Sequence, residues 1–214
     1  MHVAAAERSR ATLVLGHGAG GGVGTPDLRA LARALPAERV SVVLVEQPWR
    51  VAGRKVAAPP RTLDVAWLAV LAGLADLPEL VAATGVGSRT VPLVVGGRSA
   101  GARVACRTAR AAGAVACLAL AFPLHPPGRP GVSRLDELTG SGVPTLVVQG
   151  GRDPFGAAAD FPGGLPTGTT VLAVPHADHS FRVAKAAPLS PQEAVGLVVD
   201  HTRRWLSGLL GRVA

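Results

Sequence analysis

Short continuous apolar runs alternate along this chain with longer stretches whose apolar residues recur every three or four positions. Runs at residues 12–15, 40–45, 91–95, 114–121, 144–148 and 169–174 are rich in Val and Leu and bounded by Gly, Pro or polar residues. That pattern predicts strands buried on both faces, as in a parallel sheet. Between them, Leu28, Leu31, Ala32 and Leu35 recur at helical spacing, with Thr25 placed to cap and Pro26 at the first helical position. Residues 63–84 read as helix with Val65, Leu68, Leu71, Ala72 and Ala75 on one side, and Pro78 is expected to kink or split it. Residues 103–112 read as a further helix. The last helix is the best defined: Ser190, Pro191 and Glu193 spell a capping box with proline at the first position. Val195, Val199, Thr202, Leu206 and Leu209 follow it at spacings of three and four.

Strand–helix alternation implies an α/β fold, a mostly parallel sheet of about six strands with helices on both faces. Residues 51–61 and 122–142 read as loops, and the second leaves no room for a large cap domain. Residues 1–10 are expected to be a loose leader and residues 11–214 one domain.

Composition narrows the picture. Hydrophobic residues make up 48% of the 214, which excludes disorder. No apolar run reaches the ~18 residues of a membrane span, and the first residues make a poor signal peptide, so a cytoplasmic protein is expected. The formal charge of +8 is carried almost wholly by arginine, scattered from Arg8 to Arg212. With 3% aromatic residues and no tyrosine, base-stacking platforms are hard to build, and a solvated surface is a better reading than a nucleic-acid site. Cys106 and Cys117 belong to no metal-type cluster and read as buried thiols; no metal and no cofactor is expected.

In a sheet of this kind ligands bind beyond the carboxyl ends of the strands. Four features fall there. Gly97, Arg98, Ser99, Ala100 and Gly101 form G-x-S-x-G between strand and helix, where glycines relieve the crowding of a sharp turn and leave the serine hydroxyl exposed. Asp153 follows the fifth strand and His179 the sixth. A serine hydroxyl needs a base to take its proton, histidine titrates near neutrality, and a carboxylate fixes the imidazole tautomer. Ser99, Asp153 and His179 are therefore candidate nucleophile, acid and base, with His176 and Asp178 as competitors. The fourth feature is His17 to Gly20 after the first strand. Backbone N–H groups of Ala100 and of Ala19, or alternatively Gly20, would receive the negative oxygen of a tetrahedral intermediate. His17, Trp49, Arg98, Leu124, His125 and Phe155 lie in or beside strand-end loops and are candidate substrate contacts; for Arg98, holding a neighbouring loop is the favoured role. A rival reading takes GHGAGG at residues 16–21 as a dinucleotide fingerprint, with Glu46 on a ribose. It gives Ser99, Asp153 and His179 no joint task.

The blocks GHGAG, GGRSAGARVA, FPLHPPGRP, VPTLVVQGGRDPFG and HADHSF resemble the small α/β-hydrolase family that includes testis-expressed and NSL-complex-subunit-like proteins. The resemblance spans roughly residues 12–208. It implies a compact hydrolase fold without two leading antiparallel strands or a large cap, and assigns nucleophile, acid and base to Ser99, Asp153 and His179. Ala100 and Ala102 stand where the family pattern has a larger residue and a glycine. The expected activity is cleavage of a small ester, thioester or related acyl substrate. Because some relatives serve as complex subunits, an inactive binding or scaffold protein is the alternative, with dinucleotide binding third.

Overall fold

A computed structural model describes residues 1–54, 58–88 and 90–211 of the chain. Seven strands form one sheet: β1 (His2–Ala4), β2 (Ala11–Gly16), β3 (Val40–Val45), β4 (Leu93–Arg98), β5 (Ala116–Leu120), β6 (Thr145–Gly150) and β7 (Thr169–Val174). Their spatial order is β1-β3-β2-β4-β5-β6-β7. β2 to β7 are mutually parallel, as expected, and β1 adds an antiparallel edge with Val3 opposite Val43. The first residues are thus not a loose leader: backbone pairing with β3 ties them down, a signal that three residues of sequence do not carry.

The continuous apolar runs are explained by the two faces. Along β2, Leu13 and Leu15 enter one core and Val14 the other; along β5, Leu118 and Leu120 oppose Cys117 and Ala119. Successive side chains point to opposite faces, so a strand covered on both sides needs apolar residues at every position. One core is closed by α1 (Pro26–Ala34) and α7 (Pro191–Leu210), which pack on each other and contribute Leu28, Leu31, Val198 and Leu206 to it. The other is closed by α3 (Pro60–Ala75), α4 (Pro78–Thr84), α5 (Ala100–Thr108) and α6 (Leu135–Thr139). Each fully buried Leu stabilises by roughly 1.5–3 kcal/mol. A short helix, α2 (Pro48–Val51), follows β3.

Several boundaries move. The helix expected over 63–84 is two helices, bent by 84° at the break before Pro78. Its buried face is Leu63, Trp67, Leu71 and Leu74, while Val65 is exposed. Helix α3 begins inside the expected 51–61 loop, of which residues 55–57 lie outside the described residues. Strand β4 begins and ends later than the apolar run, because its final glycines and Arg98 continue the ladder beside β5. Helix α5 consequently starts at Ala100, three residues ahead of the expected position. Thr25 makes no side-chain cap to α1, whereas Ser190 and Glu193 close the predicted box reciprocally, at 3.2 and 2.7 Å. Cys106 and Cys117 are free, buried and 3.8 Å apart. Among the described residues no single helix is long and apolar enough to cross a membrane, and no group of three metal-ligating side chains converges.

Candidate active site

The parallel register lines up the carboxyl ends of the central strands, with Gly16 of β2 beside Gly97 and Arg98 of β4 beside Leu120. At this edge the chain turns sharply into α5. Ser99 takes the strain, with φ 53° and ψ −111°, a region side chains avoid. Its N–H donates to the Leu120 carbonyl at 2.9 Å. A Cβ on Gly97 would lie 2.6 Å from the Gly16 carbonyl oxygen, and one on Gly101 would collide with that same oxygen. The two glycines therefore let α5 descend against β2.

His179 comes from the turn after β7. Asp178 shapes that turn: its Oδ1 accepts the N–H groups of Ser180 and Arg182 at 2.7 and 2.9 Å. The turn brings His179 Nε2 to 2.9 Å from Ser99 Oγ. On the other side of the ring, Nδ1 lies 2.7 Å from Asp153 Oδ2. A carboxylate only accepts, so Nδ1 carries the proton and Nε2 is left to accept the Ser99 hydroxyl proton. Asp153 is 4% exposed. Its Oδ1 accepts the Phe155 N–H at 2.8 Å, and its Oδ2 also accepts Gln149 Nε2 at 2.9 Å. The Phe155 ring meets the His179 ring edge to face at 4.5 Å. His176 is exposed, and Asp178 serves the turn, so neither competitor takes part in this relay.

Ser99 and His179 open into a cleft of about 950 Å³ lined also by Ala19, Gly20, Ala100 and Phe155. A Cβ on Gly18 would lie 3.2 Å from Ser99 Cβ, so the loop after β2 runs directly beside the serine. Among the described residues no acceptor takes the N–H of Ala19 or Ala100. Both residues line the cleft with Ser99, their N–H groups free to donate.

Arg98 also reaches the cleft, but most of its donors are spent on the fold. Nη2 donates to the His179 carbonyl at 2.8 Å and to Ser180 Oγ at 3.1 Å, and Nε lies 3.3 Å from Asp27 Oδ2. It holds the histidine loop, the role favoured from sequence. Four other expected contacts do not line the cleft. His17 is fully buried: Nδ1 donates to the Gly18 carbonyl at 2.7 Å, and Nε2 accepts the Gln47 N–H at 2.9 Å. Trp49 is buried against it, 5.3 Å between ring centroids. Leu124 belongs to the core, and His125 turns its Nδ1 to the Val132 carbonyl. Glu46, the proposed ribose ligand, does not line the cleft: its Oε1 accepts the Val23 N–H at 3.4 Å and its Oε2 is buried, which removes the support for a dinucleotide site.

The sequence reading missed Gln149, Asp27 and the arginines of the cleft wall. Gln149 carried a faint signal, a buried polar residue at the end of an apolar strand. Arg103 and Arg107, expected to be solvated, are half-buried. Glu137 takes both, and Asp64 takes Arg107, at 2.5–2.7 Å. Burial alone would push the Glu137 carboxyl up, but hydrogen bonds and charge from Arg103 and Arg107 outweigh it and hold the group below its usual value. For Arg107 burial acts downward, and the Asp64 and Glu137 carboxylates more than compensate, so its pKa is raised.

An open, mostly parallel sheet with serine, histidine and aspartate assembled at its carboxyl edge defines a class, the α/β hydrolases without a lid. The family model for the alpha/beta hydrolase domain matches residues 9–207, and the chain belongs to that family. Solved structures agree on the fold. A dienelactone hydrolase from Anabaena variabilis superposes with TM-score 0.70 at 18% identity, covering 96% of this chain and 89% of its own. An alpha-beta serine hydrolase homologue from Coxiella burnetii gives 0.69 at 15%, covering 92% and 88%. A lidless serine hydrolase from Xanthomonas campestris gives 0.63 at 20%, covering 95% and 87%. No curated protein sequence matches the chain.

Proposed function

We propose that the protein is a serine hydrolase that cleaves a small ester, thioester or related acyl substrate through an acyl-Ser99 intermediate. The observation that carries this reading is the unbroken path from Ser99 Oγ through His179 to a buried Asp153, opening into a cleft. His179 Nε2 takes the hydroxyl proton as Oγ bonds to the substrate carbonyl carbon. Negative charge moves to the carbonyl oxygen, where the N–H groups of Ala19 and Ala100 receive it. The intermediate collapses as His179 returns the proton to the leaving group. Water, deprotonated by the same nitrogen, then attacks the acyl carbon and frees Ser99. Asp153 keeps the imidazole in the required tautomer throughout. No step calls for a metal or organic cofactor. Kinship with the testis-expressed and NSL-complex-subunit-like branch is part of this proposal, carried by the HPPGRP and GGRDPFG blocks.

The test is labelling with a fluorescent fluorophosphonate, which reports an activated serine without knowledge of the substrate. Wild type is expected to label and Ser99→Ala to remain dark. Folded wild type that does not label would overturn the reading in favour of a hydrolase-fold binding protein.

A further inference from the structure

The wall of the cleft is cationic. Among the described residues six arginines line it, Arg33, Arg98, Arg103, Arg107, Arg134 and Arg182, against the single carboxylate of Asp27. Asp64 and Glu137 offset two of these charges from behind, by pairing with Arg103 and Arg107. Arg98 is spent on Asp27 and the His179 loop. Among the described residues Arg134 has no carboxylate partner. Its Nη1 donates to the carbonyls of Pro123 and His125, both at 3.3 Å, which pins the guanidinium in place and leaves Nε and Nη2 without a protein acceptor. Burial, then the charges of Arg103 and Arg107, pull its pKa below the usual value against the opposing pull of Glu137, the mark of a cation held among cations.

This partly buried, half-satisfied guanidinium is placed relative to the serine by α5 and α6. Arg103 N–H donates to the Ser99 carbonyl, so Arg103 stands one turn, about 6 Å of helix rise, below Ser99. Glu137 bridges Arg103 and Arg107, and Arg134 is the residue from which α6 starts. A group bound at Arg134 therefore lies down the cleft from the acyl carbon. A partly buried guanidinium with free N–H groups on one edge is built to take a planar two-oxygen anion.

Resting on the hydrolase reading above, we propose that the natural substrate is an ester or thioester carrying a carboxylate a few bonds from the scissile carbonyl, and that Arg134 binds that carboxylate. Arg103 and Arg107 are occupied by Asp64 and Glu137, and Arg33 and Arg182, also without a carboxylate partner among the described residues, are exposed, so Arg134 is the partly buried arginine left to exchange solvent for substrate. Charge-assisted hydrogen bonds of this kind are strong enough for selectivity of roughly tenfold or more.

The experiment compares two substrates that differ only in this charge: the 4-nitrophenyl ester of adipic acid with its other carboxyl free, and the same ester with that carboxyl methylated. The readout is the ratio of their kcat/KM values, in which any general loss of activity cancels. Wild type is expected to prefer the free acid by at least roughly tenfold, through KM. Arg134→Gln is expected to bring the ratio near one, and Arg134→Lys, which keeps the charge without the fork, to an intermediate value. Should Arg134→Gln fail to fold, the Lys variant and inhibition of the neutral ester by free adipate carry the decision. A wild-type ratio near one with strong fluorophosphonate labelling overturns the anion site and leaves the hydrolase reading standing. A large ratio that survives both substitutions removes the assignment to Arg134. Absence of both labelling and turnover brings down the two readings together.

Discussion

Arg98 Nη2 donates to the His179 carbonyl at 2.8 Å, across 81 positions of sequence. The residue immediately before the proposed nucleophile thus holds the loop of its proposed base. The link runs on to Asp27 of α1, buried at 2% exposure, so one guanidinium ties the serine turn, the histidine loop and the first helix together.

Removing this tie should cost both stability and rate. Arg98→Ala leaves Asp27 as an uncompensated buried charge, a loss of about 3–5 kcal/mol. The double variant Arg98→Ala with Asp27→Ala should recover a large part of that loss in chemical denaturation while kcat stays low. Full recovery of kcat in the double variant would show that the His179 loop holds itself.

Ser99→Ala should lower kcat by roughly 10⁴–10⁶ on any verified ester, with the melting temperature at or above that of wild type. Alanine keeps the Cβ and therefore the strain at φ 53°, whereas glycine removes it. Gly in place of Ser99 should raise the melting temperature further.

Gly101→Ala should be poorly tolerated. The added methyl would meet the Gly16 carbonyl, which is backbone in a central strand and has nowhere to go. Overpacking of this sort costs about 1–3 kcal/mol or more. A variant with unchanged thermal unfolding would mean that α5 can lift off β2 freely.

The Glu137 cluster makes stability depend on acid. Its folded-state pKa is depressed, so the unfolded chain binds the proton more readily; the contribution is complete above the usual carboxylate range and is lost as pH falls through it. Melting temperature followed downward from about pH 5 should drop less in Glu137→Gln than in wild type. Parallel curves would remove the Arg103 and Arg107 pairing from the stability account.

Legibility in the sequence followed the range of the interactions. Strands β3 and β7 and the start of α7 were readable to the residue, because apolar continuity and a capping box are local signals. Ser99, Asp153 and His179 were readable because a doubly wound sheet sends every strand end to one edge, so sequence position translates into spatial position. His17, Trp49 and Leu124 were misplaced for the complementary reason: lying at a strand end brings a residue to the rim but does not say whether its side chain faces the cleft or the core. Gln149, Asp27 and Arg134 matter through partners far along the chain, and nothing in their neighbours announces those partners. Pairing of β1 was hidden likewise, since an edge strand is specified by the strand that receives it.

The Ser99 N–H bond to Leu120 adds one more rung to the ladder between β4 and β5, past the last residue of the strand. The proposed nucleophile is thereby mounted on the central ladder of the sheet although its hydroxyl opens into the cleft. Its amide should exchange with deuterium as slowly as those of the central strands, while the amides of Ala19 and Ala100 exchange fast. In the proposed reaction, adaptation to different acyl groups then falls to the loops around the serine, and its oxygen serves as the fixed origin from which the rest of the cleft is measured.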